Sequence, residues 1–365
     1  MSGTLSLGVE EEYQLVDPAS RELRSVAPQV LRAAEPELGE RVQPELYRSM
    51  VEMNTPVCST LGEVREAVRR SRRSLVEAAG RQGLRIAAAG THPFSQWRDQ
   101  RVTDKPRYRN LAEDYQQVFR EQIVFGCHVH VGIDDREAAI QTMNRVRPWL
   151  PVLAALTVNS PYWLGGDTGY ASYRTEVWNR WPTAGMPQAF ASRAAYDALV
   201  ATLVATGSVR EPTKLYWDVR PSTKQETLEF RVADVCMGVD EAVMVAGLVR
   251  GLAVTCHQAA VAGDPDPEPR PELLRAAKWR AARHGLAADL VDVLGRRALP
   301  ATEMVELFLA EIRPGLEAGG DLEEVSELVR ATIARGTGAA RQREAFQATG
   351  SLESVVDLVI SETAR

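Results

Sequence analysis

Three short stretches of this chain set ionisable residues two positions apart between apolar ones. They are GVEEEY (8–13), GCHVHVG (126–132) and TLEFRV (227–232). In a β-strand, residues two apart point to the same face. Glu10 and Glu12 therefore share a face, and Glu11 points the other way. His128 shares a face with His130, and Glu229 with Arg231 and Thr227. The intervening Val9, Val129, Val131, Leu228, Phe230 and Val232 belong in a core. Such a chain must build strands with one apolar side and one ionisable side. Carboxylates on the second side need cations, hydrogen bonds or water.

The remaining sequence frames these strands. Thr60 and Glu63 form a capping-box pattern that opens a helix over 60–82, with Leu61, Val64, Val68, Leu75 and Ala79 near one face and Gly83 at its end. Residues 84–89 read as a short buried strand and 107–121 as a polar helix. Residues 135–164 read as helical with a restart at Pro148, 165–191 as loop, and 192–206 as helix. Two strands at hairpin spacing follow at 214–220 and 227–235, then a long apolar helix over 240–262. Strands without regular βα alternation predict an antiparallel α+β fold. Residues 1–262 form the expected catalytic core. After the proline-rich connection 263–271, residues 272–365 read as almost wholly helical, either packed on that core within one 365-residue unit or forming a separate bundle.

Several classes lose support. The chain has 43 Lys plus Arg against 49 Asp plus Glu, a net charge of −6, which argues against a general nucleic-acid binder. Its four cysteines are far apart and lack CxxC spacing, so neither a disulfide framework nor a zinc–cysteine site is expected. The first residues resemble no signal peptide and no apolar run reaches membrane length, so the expectation is a cytoplasmic protein that engages no membrane. GxxxxGK[ST], GxGxxG, HExxH and GxSxG are all absent.

An oxygen-rich ligand set with one imidazole suits Mg²⁺ or Mn²⁺ better than structural Zn²⁺. Mg²⁺ in such sites bridges carboxylates to substrate phosphates, and nearby arginines neutralise a transferring phosphoryl group. Arg231 lies on the right face and Arg220 at a strand end. Glu45 and Glu52, in PELYRSMVEMNT (44–55), reach the same place if that segment is extended or irregular. The loop 165–182 carries Asp167, Tyr170, Ser172, Arg174, Asn179 and Arg180, and reads equally as a carboxylate-binding lid or as a packed cover over the sheet. Plainer readings stand beside each motif: a solvated edge strand for GVEEEY, one structural histidine in HVH, and an intrastrand salt bridge for Glu229 with Arg231. The recurrence of one pattern in three strands favours a shared site.

The series GVEEEY, SMVEMNTPVC, AAGTHPF, FGCHVHVG, SPYWLGGDTGYASYR, WDVRPS and LEFRVAD, in this order over residues 5–290, resembles the carboxylate–amine ligase branch of the glutamate–cysteine ligase type 2 family. The resemblance implies a glutamine-synthetase-like fold, a curved antiparallel sheet with helices behind it. It implies ATP-dependent amide formation through an acyl phosphate, with small-molecule substrates and a homo-oligomeric assembly. Carried over by motif, Glu10, Glu12, Glu45, Glu52, His130 and Glu229 hold Mg²⁺ against ATP. Arg231 contacts the transferring phosphoryl group, and Arg174 and Arg220 contact substrate carboxylate or phosphate. Two other classes remain: a metal-dependent hydrolase of amidohydrolase type, which needs further histidines beyond His128 and His130, and a non-catalytic MgATP-binding regulator.

Overall fold

The computed structural model describes residues 5–365, so the expectation about a leader at Met1–Thr4 lies outside the described residues. β1 (Leu7–Val16) is central. It pairs antiparallel with β3 (Met50–Asn54), β4 (Arg85–Ala87) and β5 (Gly126–Gly132). β2 (Val42–Pro44) adds to β3, β11 (Thr227–Asp234) to β5, and β10 (Val219–Pro221) to β11, again antiparallel. The result is a seven-stranded sheet ordered β10-β11-β5-β1-β3-β2, with β4 on the far part of β1. Small two-stranded pairs lie outside it: β6 (Tyr162–Trp163) with β7 (Gly166–Asp167), β8 (Ala184–Gly185) with β9 (Tyr216–Trp217), and β12 (Leu290–Asp292) with β13 (Arg297–Leu299).

One face of the sheet is apolar, as the alternation demands. Val9, Val129, Val131, Leu228 and Phe230 are buried in a cluster with α4 (Arg136–Val146), α5 (Leu150–Leu156) and α8 (Val239–Ala262). Tyr13, Leu15, Val51 and Met53 continue it beneath α1 (Ala27–Leu38) and α2 (Leu61–Arg81). Thr60 caps α2 by accepting from the Glu63 N–H, and Glu63 accepts in return from the Ser59 N–H. On the other side lie α3 (Pro106–Arg120) and α6 (Tyr173–Trp178), while α7 (Arg193–Ala205) joins the apolar cluster beside α4 through Tyr196 and Val200.

The C-terminal residues form α9 (Pro271–His284), α10 (Ala301–Gly319), α11 (Leu322–Arg335), α12 (Gly338–Thr349) and α13 (Leu352–Thr363). They pack on the earlier part of the chain. α10 lies against α8 at Gly251 and Gly315, where a Cβ on Gly315 would overlap the Gly251 carbonyl. Gln342 of α12 donates to Asn159, and Thr363 of α13 accepts from the Ala88 N–H beside β4.

Four expectations need correction, the first being the stretch 165–191 expected as loop, which holds the short helix α6 capped by the Ser172 hydroxyl. The helix expected to run to 164 ends at Leu156, because Asp234 at the end of β11 accepts from the Asn159 N–H and the Ser160 and Ser172 hydroxyls and pins that segment in irregular form. The strand expected over 214–220 is split into a turn (Pro212–Lys214), β9 and β10, and between the strands Asp218 is drawn into an ion pair with Lys278 of α9 at 2.7 Å. The C-terminal part also holds the β12–β13 hairpin, which its helical pattern hides.

Candidate active site

The sheet's second face carries the ionisable residues, and strand register decides which of them meet. Arg220, Glu229 and His130 are successive partners across β10, β11 and β5. One step along, His128 opposes Glu10 across β5 and β1. One further, Glu12 opposes Glu52 across β1 and β3, and Gln43 follows on β2. Directly opposed residues of an antiparallel pair lie on one face with their Cβ atoms about 4.5–5.5 Å apart. The three motifs therefore form one oblique row of acid, imidazole and guanidinium groups. Glu45 joins from the turn between β2 and β3, where it accepts from the Tyr108 hydroxyl at 2.9 Å and its backbone carbonyl accepts from Thr103.

These groups floor a cavity of about 720 Å³, within the usual range for small-molecule sites. Its lining includes Glu10, Glu12, Glu45, Glu52, His128, His130, Arg220, Glu229 and Arg231. Charge is unevenly balanced inside it. Glu229 accepts from Arg231 and, at 2.9 Å, from Arg220. Burial opposes its ionisation, but the two guanidinium groups outweigh it and hold its carboxyl well below the usual range. Glu10 lies 3.2 Å from each of His128 and His130. Burial opposes its ionisation too, and those two imidazole contacts pull its pKa down.

Glu12, Glu45 and Glu52 have no ion-pair partner among the described residues. Burial, then the neighbouring Glu45, pushes Glu12 up to about 7, although it accepts a 2.6 Å bond from the Gly126 N–H. Burial and the charges of Glu10, Glu45 and Glu12 push Glu52 well above the carboxylate range. Guanidinium groups act on these carboxylates only at a distance, Arg174 and Arg231 on Glu12 and Arg107 beside Glu45 and Glu52, which leaves them suited to an arriving cation.

The residues singled out in the sequence are thus brought together, with one exception. Arg174 is almost wholly buried and does not line the cavity. Its guanidinium donates to the Arg231 carbonyl at 3.3 Å and lies 3.9 Å from Asp234. It occupies the space where a Cβ on Gly126 would sit, so any larger residue at that strand position would have to displace it. The plainer reading of Glu229 with Arg231 also holds: they are an intrastrand ion pair, and both line the cavity.

His128 is the residue that motif matching passed over. Glu10, His128 and Glu229 offer ligand atoms within 4.8 Å of one another. Burial, then the Arg231 charge, lowers the His128 pKa to about 4, which leaves the imidazole neutral and able to ligate. For His130 the hydrogen bond and charge of Glu10 outweigh burial and raise the pKa; its Nδ1 lies 2.9 Å from the Thr227 hydroxyl. The signal for His128 was in the sequence, since it shares the His130 face.

The hydrolase alternative finds no further histidine here. His92 contacts the Arg21 carbonyl and accepts from the Ser95 N–H, His257 lies by Thr142, and His284 lies against Trp279. The loop 165–182 takes up its own polar groups. Asp167 pairs with Arg343, Asn179 with Lys278, Arg180 with Glu121, and Tyr170 with Trp279. What this loop sends into the cavity is Trp178 and Trp181.

Comparison with known proteins agrees with this geometry. The family profile described as glutamate–cysteine ligase family 2 (GCS2) matches residues 6–358. A protein of Rhodopirellula baltica, provisionally named glutamate–cysteine ligase 2, is 44% identical over 98% of this chain and 96% of its own length. One from Frankia casuarinae, provisionally named glutamate–cysteine ligase 2-2, is 45% identical over 98% of this chain, which spans only 41% of that relative. Among solved structures, glutamate–cysteine ligase of Francisella tularensis in complex with AMP superposes with a TM-score of 0.70 at 12% identity, over 99% of this chain and 89% of that one. At that identity the likeness is one of fold. No helix among the described residues is long and apolar enough to cross a membrane. By its sequence over nearly its whole length, the chain belongs to glutamate–cysteine ligase family 2.

Proposed function

We propose that this chain joins a small carboxylate to an amine, driven by ATP, through an acyl phosphate. The observation that carries the proposal is the pairing, in one cavity, of three carboxylates outside any ion pair and two arginines clamped on Glu229. The first group suits Mg²⁺ and the second suits a transferring phosphoryl group. The donor set fits the metal: carboxylate oxygens predominate, and the His130 Nε2 stands 3.2 Å from the Glu10 carboxylate. Glu10, Glu12, Glu45, Glu52, His130 and Glu229 would hold it, with His128 as a further donor. When bound, Mg²⁺ supplies charge neutralisation along the ATP phosphates.

The chain's own residues do the rest. A carboxylate is a poor electrophile, so one of its oxygens first attacks the γ-phosphorus and ADP leaves. Arg231 is fixed by Glu229 and lines the cavity, which places its guanidinium to meet a phosphoryl oxygen. Arg220 is held by Glu229 and by the Thr213 and Leu215 carbonyls, which orient its fork at the rim. The amine then attacks the acyl carbon, and the C–O bond to phosphate breaks.

The test is ADP release with MgATP, hydroxylamine and a carboxylate panel of L-glutamate, L-aspartate, succinate and benzoate. Hydroxamate formed together with ADP is the expected result. ADP release at the same rate without any carboxylate would remove the ligase reading.

A further inference from the structure

On the reading above, Arg231 meets the transferring phosphoryl group, and three supports hold that arginine in place. Glu229 pairs with its guanidinium. The guanidinium also lies over the Trp178 ring, 5.5 Å from its centroid. The Arg231 backbone N–H donates to the Asp218 carbonyl at 2.8 Å. The last two supports cannot stand alone. Trp178 ends α6, which has six residues and is too short to keep its shape in water by itself. Asp218 is the single residue between β9 and β10, and β10, which carries Arg220, is a three-residue strand at the edge of the sheet.

Both of these supports lead to one side chain that does not itself line the cavity. Lys278 of α9 is 5% exposed, and its ammonium donates to Asp218 Oδ1 at 2.7 Å and to Asn179 Oδ1 at 2.9 Å. Asn179 directly follows Trp178. One turn along α9, the Ala282 carbonyl accepts from the N–H of Ser172, the residue that caps the start of α6, at 2.8 Å. α9 therefore holds α6 at both ends. The Trp178 N–H donates to the Tyr216 carbonyl at 3.2 Å, which ties α6 to β9 and closes the ring of contacts. Asp218 is 2% exposed, and Lys278 is its only ion-pair partner among the described residues. A buried ion pair gains little net stability over an apolar pair of similar volume. An ammonium that bridges two elements does fix how those elements stand to each other.

We infer that Lys278 is a positioning residue for the ligase reaction: from outside the cavity it sets where Trp178 and the β9–β10 segment stand, and through them where Arg231 and Arg220 meet the phosphoryl group. The inference rests on the proposed function, which gives those two arginines that role. It makes the helical C-terminal part of the chain a component of the active site rather than a cover packed on its back.

Hydroxamate formation per folded protein tests this, with MgATP, hydroxylamine and whichever of L-glutamate, L-aspartate, succinate and benzoate gives most product. Lys278→Met should lower kcat by about 10²-fold with little change in the KM for ATP. Lys278→Arg keeps the charge and two donors and should recover most of that loss. Lys278→Met strands the Asp218 charge, so it is paired with a double variant, Asp218→Asn with Lys278→Met, which removes both charges. The double variant should regain most of the wild-type urea midpoint yet keep the low kcat, because the bridge to Asn179 is still absent. A double variant that regains kcat together with its urea midpoint assigns the pair to stability alone and overturns the inference. Wild-type kcat in folded Lys278→Met does the same, and in both cases wild-type hydroxamate leaves the ligase reading in place. Should Lys278→Met fail to fold, the double variant alone decides by the same criterion. No carboxylate-dependent hydroxamate in wild type removes the ligase reading, and this inference with it.

Discussion

Glu10, Glu11 and Glu12 are consecutive, yet the two faces of β1 treat them in opposite ways. Glu11 points into the helical side and is fully buried, but it is completely answered. Arg72 of α2 contacts both its oxygens, at 2.5 and 3.2 Å, and the Tyr13 hydroxyl donates to it. Arg72 in turn donates to the Cys236 and Met237 carbonyls. On the other face Glu12 accepts from one backbone N–H, is in no ion pair, and stands opposite Glu52. Like charges directly opposed across a sheet destabilise it. A charge held for structure is neutralised by the chain, whereas a charge held for chemistry is left for something that arrives.

The largest expected effect lies on the structural face. Arg72→Met should cost about 3–5 kcal/mol of stability, measured by urea unfolding, because it strands Glu11 in the core. A loss under 1 kcal/mol would mean that Glu11 finds another partner and that the contrast between faces is weaker than drawn. On the cavity face, Glu52→Gln should do the reverse for stability and raise Tm in metal-free buffer, while ADP formation falls by about 10²–10³-fold. Full activity in this variant would detach Glu52 from the reaction. Glu229 differs from both, since it holds Arg220 and Arg231. Glu229→Gln should lose stability as well as turnover.

The contrast also predicts a pH dependence. Glu12 holds its proton more tightly in the folded protein, at about 7, than at the ordinary value of 4.5. Its contribution to stability is therefore fully present below pH 4.5 and is lost as pH rises towards 7. Metal-free protein should weaken across that window, and saturating Mg²⁺ should restore stability near pH 7. Identical urea midpoints with and without Mg²⁺ at pH 7 would contradict the metal assignment. The smallest effect concerns Thr227. Thr227→Val removes the hydroxyl that orients His130 and should raise the Mg²⁺ concentration needed for half-maximal ADP release by about tenfold.

Period-two alternation made the row's members legible in the sequence, because face assignment within a strand needs only local geometry. Register is not local. That Glu12 meets Glu52, and that Glu229 meets His130, depends on pairings between segments far apart in the chain. Choosing between His128 and His130 was beyond the motif for the same reason, since both point the same way. Arg174 looked like a substrate ligand because its loop is rich in aromatics and arginine. Only the close approach at Gly126 shows that it is packed beneath the site. The helical pattern of residues 157–164 was misleading, because the hydrogen bonds that break it come from Asp234 on a distant strand.

The most direct test uses a carboxylate labelled with ¹⁸O and follows the label during ADP release with hydroxylamine. An acyl phosphate requires that one carboxylate oxygen leave with the phosphoryl group, so each inorganic phosphate released should carry one ¹⁸O. Unlabelled phosphate, formed at the same rate as ADP, would show that water rather than the carboxylate attacks ATP and would contradict the ligase mechanism at its first step.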